Sequence, residues 1–176
     1  MMRRSILLLV VLVLAAACAQ GGGEPVGGTI EVTGTDYAFE GVPALVAPGA
    51  EFTFTNSGEE VHEMIIVQIV DGETRTMEEI LELPEDESDA LVAEFLGVLI
   101  DTPSGETVNP EGENPTITVT DPGRYAVVCF LPQGLDEETY ETAIAEADPN
   151  SEEGAAFPEG TPHALLGMVA EFTVEA

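Results

Sequence analysis

Apolar and polar residues alternate along several short stretches of this chain, which is the period-2 pattern of β-strands with one covered face. The alternating stretches are 29–33, 51–55 and 116–120. Two further runs, 64–69 and 125–130, are almost continuously apolar, as in strands that cross the middle of a sandwich, and 168–174 reads as a closing strand. Turn residues punctuate the runs at Pro48-Gly49, Asn56-Ser57-Gly58 and Asp121-Pro122-Gly123. The pattern predicts a mainly β fold, a two-sheet sandwich with Greek-key connections.

Two acidic stretches, at about 71–114 and 135–162, interrupt the β pattern and are predicted to be helical insertions. In the first, Thr76-Met77-Glu78-Glu79 has capping-box spacing and predicts a short helix that ends before Pro84. A second helix, capped near Ser88 or Asp89, is expected from an apolar stripe at helical spacing: Leu91, Val92, Phe95, Leu96 and Leu99. In the second insertion, 136–147 predicts a helix with one apolar face, formed by Tyr140, Ala143, Ile144 and Ala147. We expect both insertions to pack on the sandwich through these stripes.

The first 17 residues resemble an export signal. Arg3 and Arg4 precede an apolar run over 6–17, which is too short to span a bilayer. Cys18 follows Leu14-Ala15-Ala16-Ala17, an arrangement that resembles the bacterial lipoprotein signal, in which the Cys is lipidated and begins the mature chain. Ordinary secretion is the alternative, because the alanines also satisfy the small-residue cleavage rule. Residues 18–28 would then form a lipidated Cys and a flexible tether, and 29–176 the domain.

The charge of the chain excludes nucleic acid as a partner. Without residues 1–17, 176 − 17 = 159 residues remain, enough for one domain, with two Arg, no Lys and 34 acids. The formal net charge is 2 − 34 = −32. Phosphate backbones are repelled by such a chain, whereas solvation in high salt or attraction of a basic partner is compatible with it.

A small set of soft donors points to metal chemistry. The chain has two His residues, His62 and His163, and outside the leader one Cys, Cys129, while Met168 follows His163 by five positions. If Cys18 carries lipid, Cys129 has no partner for an intramolecular disulfide, and a lone thiol in an oxidising compartment is expected to be buried, metal-bound or reactive. Two imidazoles, a thiol and a thioether suit copper. Zinc is a weaker alternative because of the thioether.

The flanking motifs resemble those of the cupredoxins, the small type 1 (blue) copper electron carriers. The matching segments are Asn56-Ser57-Gly58-Glu59-Glu60-Val61-His62, then Gly123-Arg124-Tyr125-Ala126-Val127-Val128-Cys129, then His163 and Met168. The resemblance implies a cupredoxin-like sandwich that holds one type 1 copper ion. His62, Cys129 and His163 would be its strong ligands and Met168 its axial ligand. We expect the proposed copper site to be surrounded by apolar side chains, those of Met64, Phe130, Leu131, Leu165 and Leu166.

Two features of this chain differ from the family pattern. Relatives place a handful of residues between the Cys and the second His, whereas 33 separate Cys129 from His163. Such an insertion adds little closure entropy, but it could cover the His edge through which electrons normally leave. Glu63 also follows His62 where many relatives have Asn. The residue that connects the His62 segment to the segment around Cys129 by a hydrogen bond is therefore left open.

These observations favour a non-enzymatic function. The resemblance implies a copper-binding electron-transfer lipoprotein on the outer face of the cell membrane or in the cell envelope, with a redox protein as partner. A basic partner would suit the acidic chain. A copper-sequestering or delivery protein and a metal-free sandwich that acts as an interaction module are the alternatives. Hydrolysis is not expected, because Cys129 ends an apolar strand without a cationic neighbour that would form a thiolate.

Overall fold

Two β-sheets form the body of the protein. The structure, a computed structural model, describes residues 23–105, 107, 109–110, 115–147 and 155–175. Within these residues the first sheet has the strand order β2-β1-β4-β7 and the second β3-β9-β8-β5-β6. The strands are β1 (Thr29–Thr35), β2 (Ala38–Glu40), β3 (Leu45–Val46), β4 (Ala50–Asn56), β5 (His62–Ile69), β6 (Val92–Asp101), β7 (Ile117–Val119), β8 (Gly123–Val128) and β9 (Val169–Val174). Neighbours are antiparallel except β1 with β4 and β3 with β9, which are parallel.

The core lies between the two sheets. Phe52 and Phe54 of β4 point into it from the first sheet, and Tyr125 of β8 meets them from the second. The Tyr125 ring stacks on Phe172 of β9, with centroids 5.2 Å apart. Burying each such side chain contributes about 1.5–3 kcal/mol, so the alternating apolar positions account for much of the fold's stability. The predicted sandwich is confirmed.

The predicted second helix of the first insertion is wrong. Apart from Leu91, its apolar stripe belongs to β6, which pairs antiparallel with β5 at the edge of the second sheet. Two register shifts leave Ala93 and Leu96 without an opposite residue on β5. Each such bulge adds one residue to the strand, so apolar side chains on one face recur at a spacing of three instead of two and imitate a helix. Gly97, at φ 149°, also disfavours a helix there.

The first helix of the first insertion and the helix of the second insertion lie where the sequence predicts them. α1 (Met77–Leu81) has the predicted capping box, since Thr76 accepts from the N–H of Glu79 and the Glu79 side chain accepts from the N–H of Thr76. Met77 and Ile80 of α1 pack on the outer face of the second sheet. A short helix that the sequence analysis did not predict, α2 (Glu85–Asp89), follows Pro84.

The helix of the second insertion is only partly packed. α3 (Glu137–Glu146) is capped by Asp136, whose side chain accepts from the N–H of Thr139. Tyr140 packs against the buried cluster beside Cys129, whereas Ile144 is exposed. The expectation that the whole apolar stripe is covered therefore holds for Tyr140 and not for Ile144.

The predicted signal segment, Cys18 and the first part of the tether lie outside the described residues. Val26, inside the predicted tether, already pairs with Val46, donating to the carbonyl of Leu45 and accepting from the N–H of Ala47. The folded domain thus begins before Thr29. Among the described residues, the structure contains no helix with the length and apolar character needed to cross a bilayer.

Candidate metal centre

Three separate segments bring the predicted donors together. His62 is the first residue of β5, Cys129 directly follows β8, and His163 begins a 3-10 helix, His163–Leu166, that leads into β9. Strand β8 pairs with both β5 and β9, which places these three chain ends side by side. One ligand atom from each residue lies within 4.8 Å of the others. All three residues are completely buried.

The distances within this group suit a single metal ion. The Nδ1 atoms of His62 and His163 are 3.1 Å apart, and Sγ of Cys129 is 3.4 Å from Nδ1 of His163. Two nitrogens bound at about 2.0 Å to one ion with trigonal geometry lie about 3.5 Å apart. Small adjustments of the side chains are therefore enough to bring all three donors onto one cation.

A carboxylate lies behind each imidazole. Nε2 of His163 is 2.9 Å from Oε2 of Glu60, and Nε2 of His62 is 3.4 Å from Oδ1 of Asp36. Hydrogen bonds, chiefly from backbone N–H groups, hold the pKa values of both carboxyls below their ordinary values even though partial burial raises them. Burial, followed by the proximity of His163, lowers the pKa of His62, so this ring is neutral near pH 7.

These partners fix the tautomers of both rings. An ionised carboxylate only accepts hydrogen bonds, so the nitrogen that faces it must carry the hydrogen. With hydrogen on Nε2, His62 and His163 both direct an Nδ1 lone pair into the space beside Cys129. Two acceptors that face each other at 3.1 Å repel unless a cation or a proton lies between them. The donors thus fit a metal ion, and the outer carboxylates orient the two imidazoles that could bind it.

Cys129 is held as a thiol in the absence of a cation. Burial, and to a lesser degree the charge of Glu63, raises the pKa of Cys129 to about 12. The backbone N–H of Glu63 lies 3.5 Å from Sγ of Cys129, within the range of a hydrogen bond to sulfur. A thiol with this pKa is a poor nucleophile.

Met168 lies in the same buried cluster as Cys129, together with Val61, Leu131 and Leu135. Gly167, at φ 106°, reverses the chain between the 3-10 helix and Met168, whose N–H donates to the carbonyl of His163. The expected apolar surround is correct for Leu131, but Phe130, Leu165 and Leu166 are exposed. Met64 is buried in the core between the sheets.

The long insertion between Cys129 and His163 is closed at its base. The N–H of His163 donates to the carbonyl of Leu131, and the N–H of Gln133 donates to that of Thr161. The N–H of Ala164 donates to the carbonyl of Cys129 at 2.7 Å. These bonds hold Cys129 and His163 together whatever the length of the chain segment between them.

Glu63 connects the segment of His62 to the segment that follows Cys129. Its side chain is almost completely buried, and Oε1 accepts from the N–H of Phe130 at 2.8 Å. Burial raises the pKa of this carboxyl, while the hydrogen bonds from the N–H groups of Phe130 and Leu131 oppose that shift. The residue that departs from the family pattern therefore makes a link of its own between the two ligand segments.

Sequence reasoning did not assign roles to the residues around the imidazoles. Asp36 and Glu60 are described above, and Tyr37 donates from its hydroxyl to Oε1 of Glu60 at 2.9 Å while its ring meets His163 edge-on. Asn56 holds the segment before His62, because its side chain donates to the carbonyl of Glu60 and accepts from the N–H of Gly58. The turn composition around these residues was visible in the sequence, but their contacts were not.

Comparison with known proteins places blue copper proteins among the structural neighbours. No family model and no curated protein matches this sequence. Auracyanin from the photosynthetic bacterium Roseiflexus castenholzii is 20% identical, with 85% of this chain and 98% of that chain covered and a TM-score of 0.41. Auracyanin B is 18% identical, with 88% and 93% covered and a TM-score of 0.40. Auracyanin A of Chloroflexus aurantiacus, described as a "blue" copper protein, is 18% identical, with 86% and 99% covered and a TM-score of 0.37. The site's interpretation rests on its own geometry.

Proposed function

We propose that this chain is a type 1 copper protein that carries single electrons in the cell envelope. The observation that carries the proposal is the convergence of two Nδ1 lone pairs and the Cys129 sulfur on one buried point. His62, Cys129 and His163 would be the strong ligands, and Met168 a weaker axial one. A bound copper ion would supply a one-electron couple between Cu(II) and Cu(I).

The residues around the donors support electron transfer by fixing the site. Glu60 and Asp36 hold the imidazoles through Nε2, so the rings cannot turn when the charge of the site changes. The buried cluster of Val61, Leu131 and Leu135 excludes water from the sulfur ligands. A rigid, dry site changes little between two charge states, which keeps the reorganisation cost small.

A copper titration followed by visible absorption tests the proposal. The full chain carrying Cys18→Ser is titrated with Cu(II), so that Cys129 is the sole thiol. An intense blue band that saturates at one copper per chain, and that a mild reductant bleaches reversibly, is expected. Cys129→Ser in the same background is the control and should give no such band. A colourless complex in the first variant contradicts the proposal.

Copper storage or delivery is the second candidate function, because both imidazoles are completely buried. An enclosed site exchanges electrons slowly and retains its ion. Stopped-flow mixing of the oxidised blue form with a small inorganic reductant separates the two functions. Millisecond reduction supports electron transfer, whereas tight copper binding with reduction over minutes supports storage.

We also propose that the domain is anchored through a lipid on Cys18, as the leader pattern indicates. Mass spectrometry of the N-terminal peptide after expression in a bacterium tests this. A diacylglyceryl group on a chain that begins at Cys18 is the expected result. A free Cys18 thiol on the exported chain supports ordinary secretion instead.

A further inference from the structure

An apolar groove of about 530 Å³ lies between the first insertion and the segments next to Cys129 and His163. We name it the Phe130 groove, and its apolar wall is formed by Leu81, Leu83, Val92, Phe130, Pro162 and Leu165. Phe130 is 44% exposed and Leu165 is 56% exposed. Large apolar side chains at this exposure, grouped in one concave surface, are typical of a binding surface.

The groove is joined directly to the candidate metal centre. Phe130 is covalently next to Cys129, and Leu165 lies two residues after His163. The backbone of Phe130 is fixed by the hydrogen bond from its N–H to Glu63, which holds the segment that presents the ring. An electron that leaves through the thiolate of Cys129 has a short covalent route to this exposed aromatic ring.

The imidazole edges of the site are less accessible. His163 is completely buried, its ring lies edge-on to Tyr37, and its Nε2 is held by Glu60. His62 is equally buried, with Asp36 on its Nε2. The Phe130 groove is therefore the exposed apolar surface that is connected to Cys129 through a short stretch of covalent bonds.

The charge around the groove defines its partner. Glu85 and Asp89 of α2 line it beside the apolar residues, and the whole chain carries a formal charge of −30. A second copy of the same chain would be repelled by this charge, whereas a positively ringed surface would be attracted. The groove matches a protein edge that is apolar at its centre and surrounded by Lys and Arg.

We propose that the Phe130 groove is the docking surface for a redox protein whose reactive edge is apolar and ringed by cationic side chains. The proposal rests on the proposed function as an electron carrier. In the complex one electron passes from the reduced site to the partner's oxidised one-electron centre, so the site is oxidised, the partner is reduced, and no bond forms or breaks. Phe130 and Leu165 would contact the partner's apolar edge, and Glu85 and Asp89 its cations.

A charge-reversal pair tests this surface against a matched pair elsewhere. The groove pair, Glu85→Lys with Asp89→Lys on α2, changes the net charge by +4. The control pair, Glu138→Lys with Glu141→Lys on α3, makes the same change, and all four side chains are exposed. The probe is oxidised cytochrome c, a small redox protein whose haem edge is ringed by lysines. Two readouts are taken on the copper-loaded full chain. The first is the bimolecular rate of electron transfer from the reduced protein to the oxidised probe, and the second is the set of backbone amide shifts of the reduced protein on adding reduced cytochrome c, so that no net electron transfer occurs.

The groove pair should slow electron transfer about tenfold or more at low salt and much less at high salt, because electrostatic steering is screened. The α3 pair should change the rate less than about twofold. Amide shifts should cluster at 81–89, 130 and 162–166. Equal slowing by both pairs, greater slowing by the α3 pair, or shifts centred on α3 would overturn the proposal.

A second variant removes apolar contact without changing charge. Leu83→Ser, which is distant in sequence from every proposed ligand, should weaken the probe's binding and leave the blue band unchanged. Phe95→Ser, at a side chain that is 46% exposed and lies outside the groove lining, should not weaken binding. Groove amide shifts that change on diluting the protein alone would assign the groove to a second copy and overturn the proposal. A protein that binds no copper would instead refute the proposed function, which the titration above detects separately.

Discussion

Nε2 of His163 lies 2.9 Å from Oε2 of Glu60, and the imidazole is completely buried. Glu60 also accepts from the hydroxyl of Tyr37 and from the N–H of Gly134, so its carboxylate is held on three sides. This pair fixes the His163 tautomer and places a negative charge one imidazole away from the candidate metal. The carboxylate of Glu60 thus orients the His163 ring and also covers its Nε2 edge.

Glu60→Gln should weaken copper binding and raise the reduction potential. The amide keeps the shape of the side chain but removes the charge that makes His163 a stronger donor to Cu(II), and loss of such an outer partner costs about 10–100-fold in affinity. Competitive copper titration and a potentiometric titration of the blue band measure both effects. Glu59→Gln is the control, since that exposed neighbour loses the same charge away from His163. Equal effects in both variants would show that only overall charge matters.

Glu63→Gln should stabilise the metal-free protein at neutral pH. Burial raises the pKa of Glu63 in the folded state above its unfolded value, so its contribution to stability is fully present below the unfolded pKa and is lost as the pH rises through the folded pKa. Glutamine keeps an acceptor for the N–H of Phe130 without the buried charge. A gain of about 1–3 kcal/mol in the free energy of unfolding is expected at pH 7, with little difference near pH 4.

Chemical denaturation at the two pH values measures the Glu63 effect. The exposed Glu94→Gln is the matched control and should change stability little at either pH. A Glu63→Gln variant that is less stable than the parent at pH 7 would show that the ionised carboxylate stabilises the Cys loop.

Gly58→Ala should disturb the metal centre while the sandwich remains folded. A Cβ at this position would overlap Oδ1 of Asp36 and lie 2.6 Å from Nε2 of His62, so one of the two side chains must move. We expect copper affinity to fall by about tenfold or more, because the outer partner of His62 is displaced. Gly23→Ala, where a Cβ has open space, is the control for competitive titration. Unchanged affinity in Gly58→Ala would mean that Asp36 does not support His62.

Copper binding should strengthen as the pH rises. Burial raises the pKa of the Cys129 thiol to about 12, so the metal-free thiol is protonated throughout the neutral range and must lose its proton to become a ligand. The apparent affinity should rise about tenfold per pH unit between pH 6 and 9, with about one proton released per copper. Calorimetry in buffers of different ionisation enthalpy measures that proton. The Cys129→Ser variant should release none, and equal release from both variants would contradict the prediction.

The sequence predicted the sandwich and singled out the candidate ligands because both depend on short patterns. Period-2 alternation marked the strands, and His62, Cys129 and His163 stood out because their residue types are so rare in this chain. β6 was mistaken for a helix because its two bulges change the spacing of its apolar residues. Bulges depend on the partner strand β5, which local periodicity does not show.

The outer partners of the imidazoles could not be predicted from the sequence. Glu60 and His163 are 103 positions apart, and Asp36 and His62 are 26 apart. Among 34 acids, the pattern gives no reason to single out these two. Their roles arise from the way the turn around Asn56 and the closed base of the insertion bring the segments together.

X-ray absorption at the copper edge tests the central claim most directly. The oxidised, copper-loaded Cys18→Ser protein is measured beside the same protein with Cys129→Ser. The account predicts two imidazole nitrogens and one short sulfur bond around a single copper, with that sulfur lost in the second variant. A copper surrounded by nitrogen and oxygen alone in the first protein would contradict it.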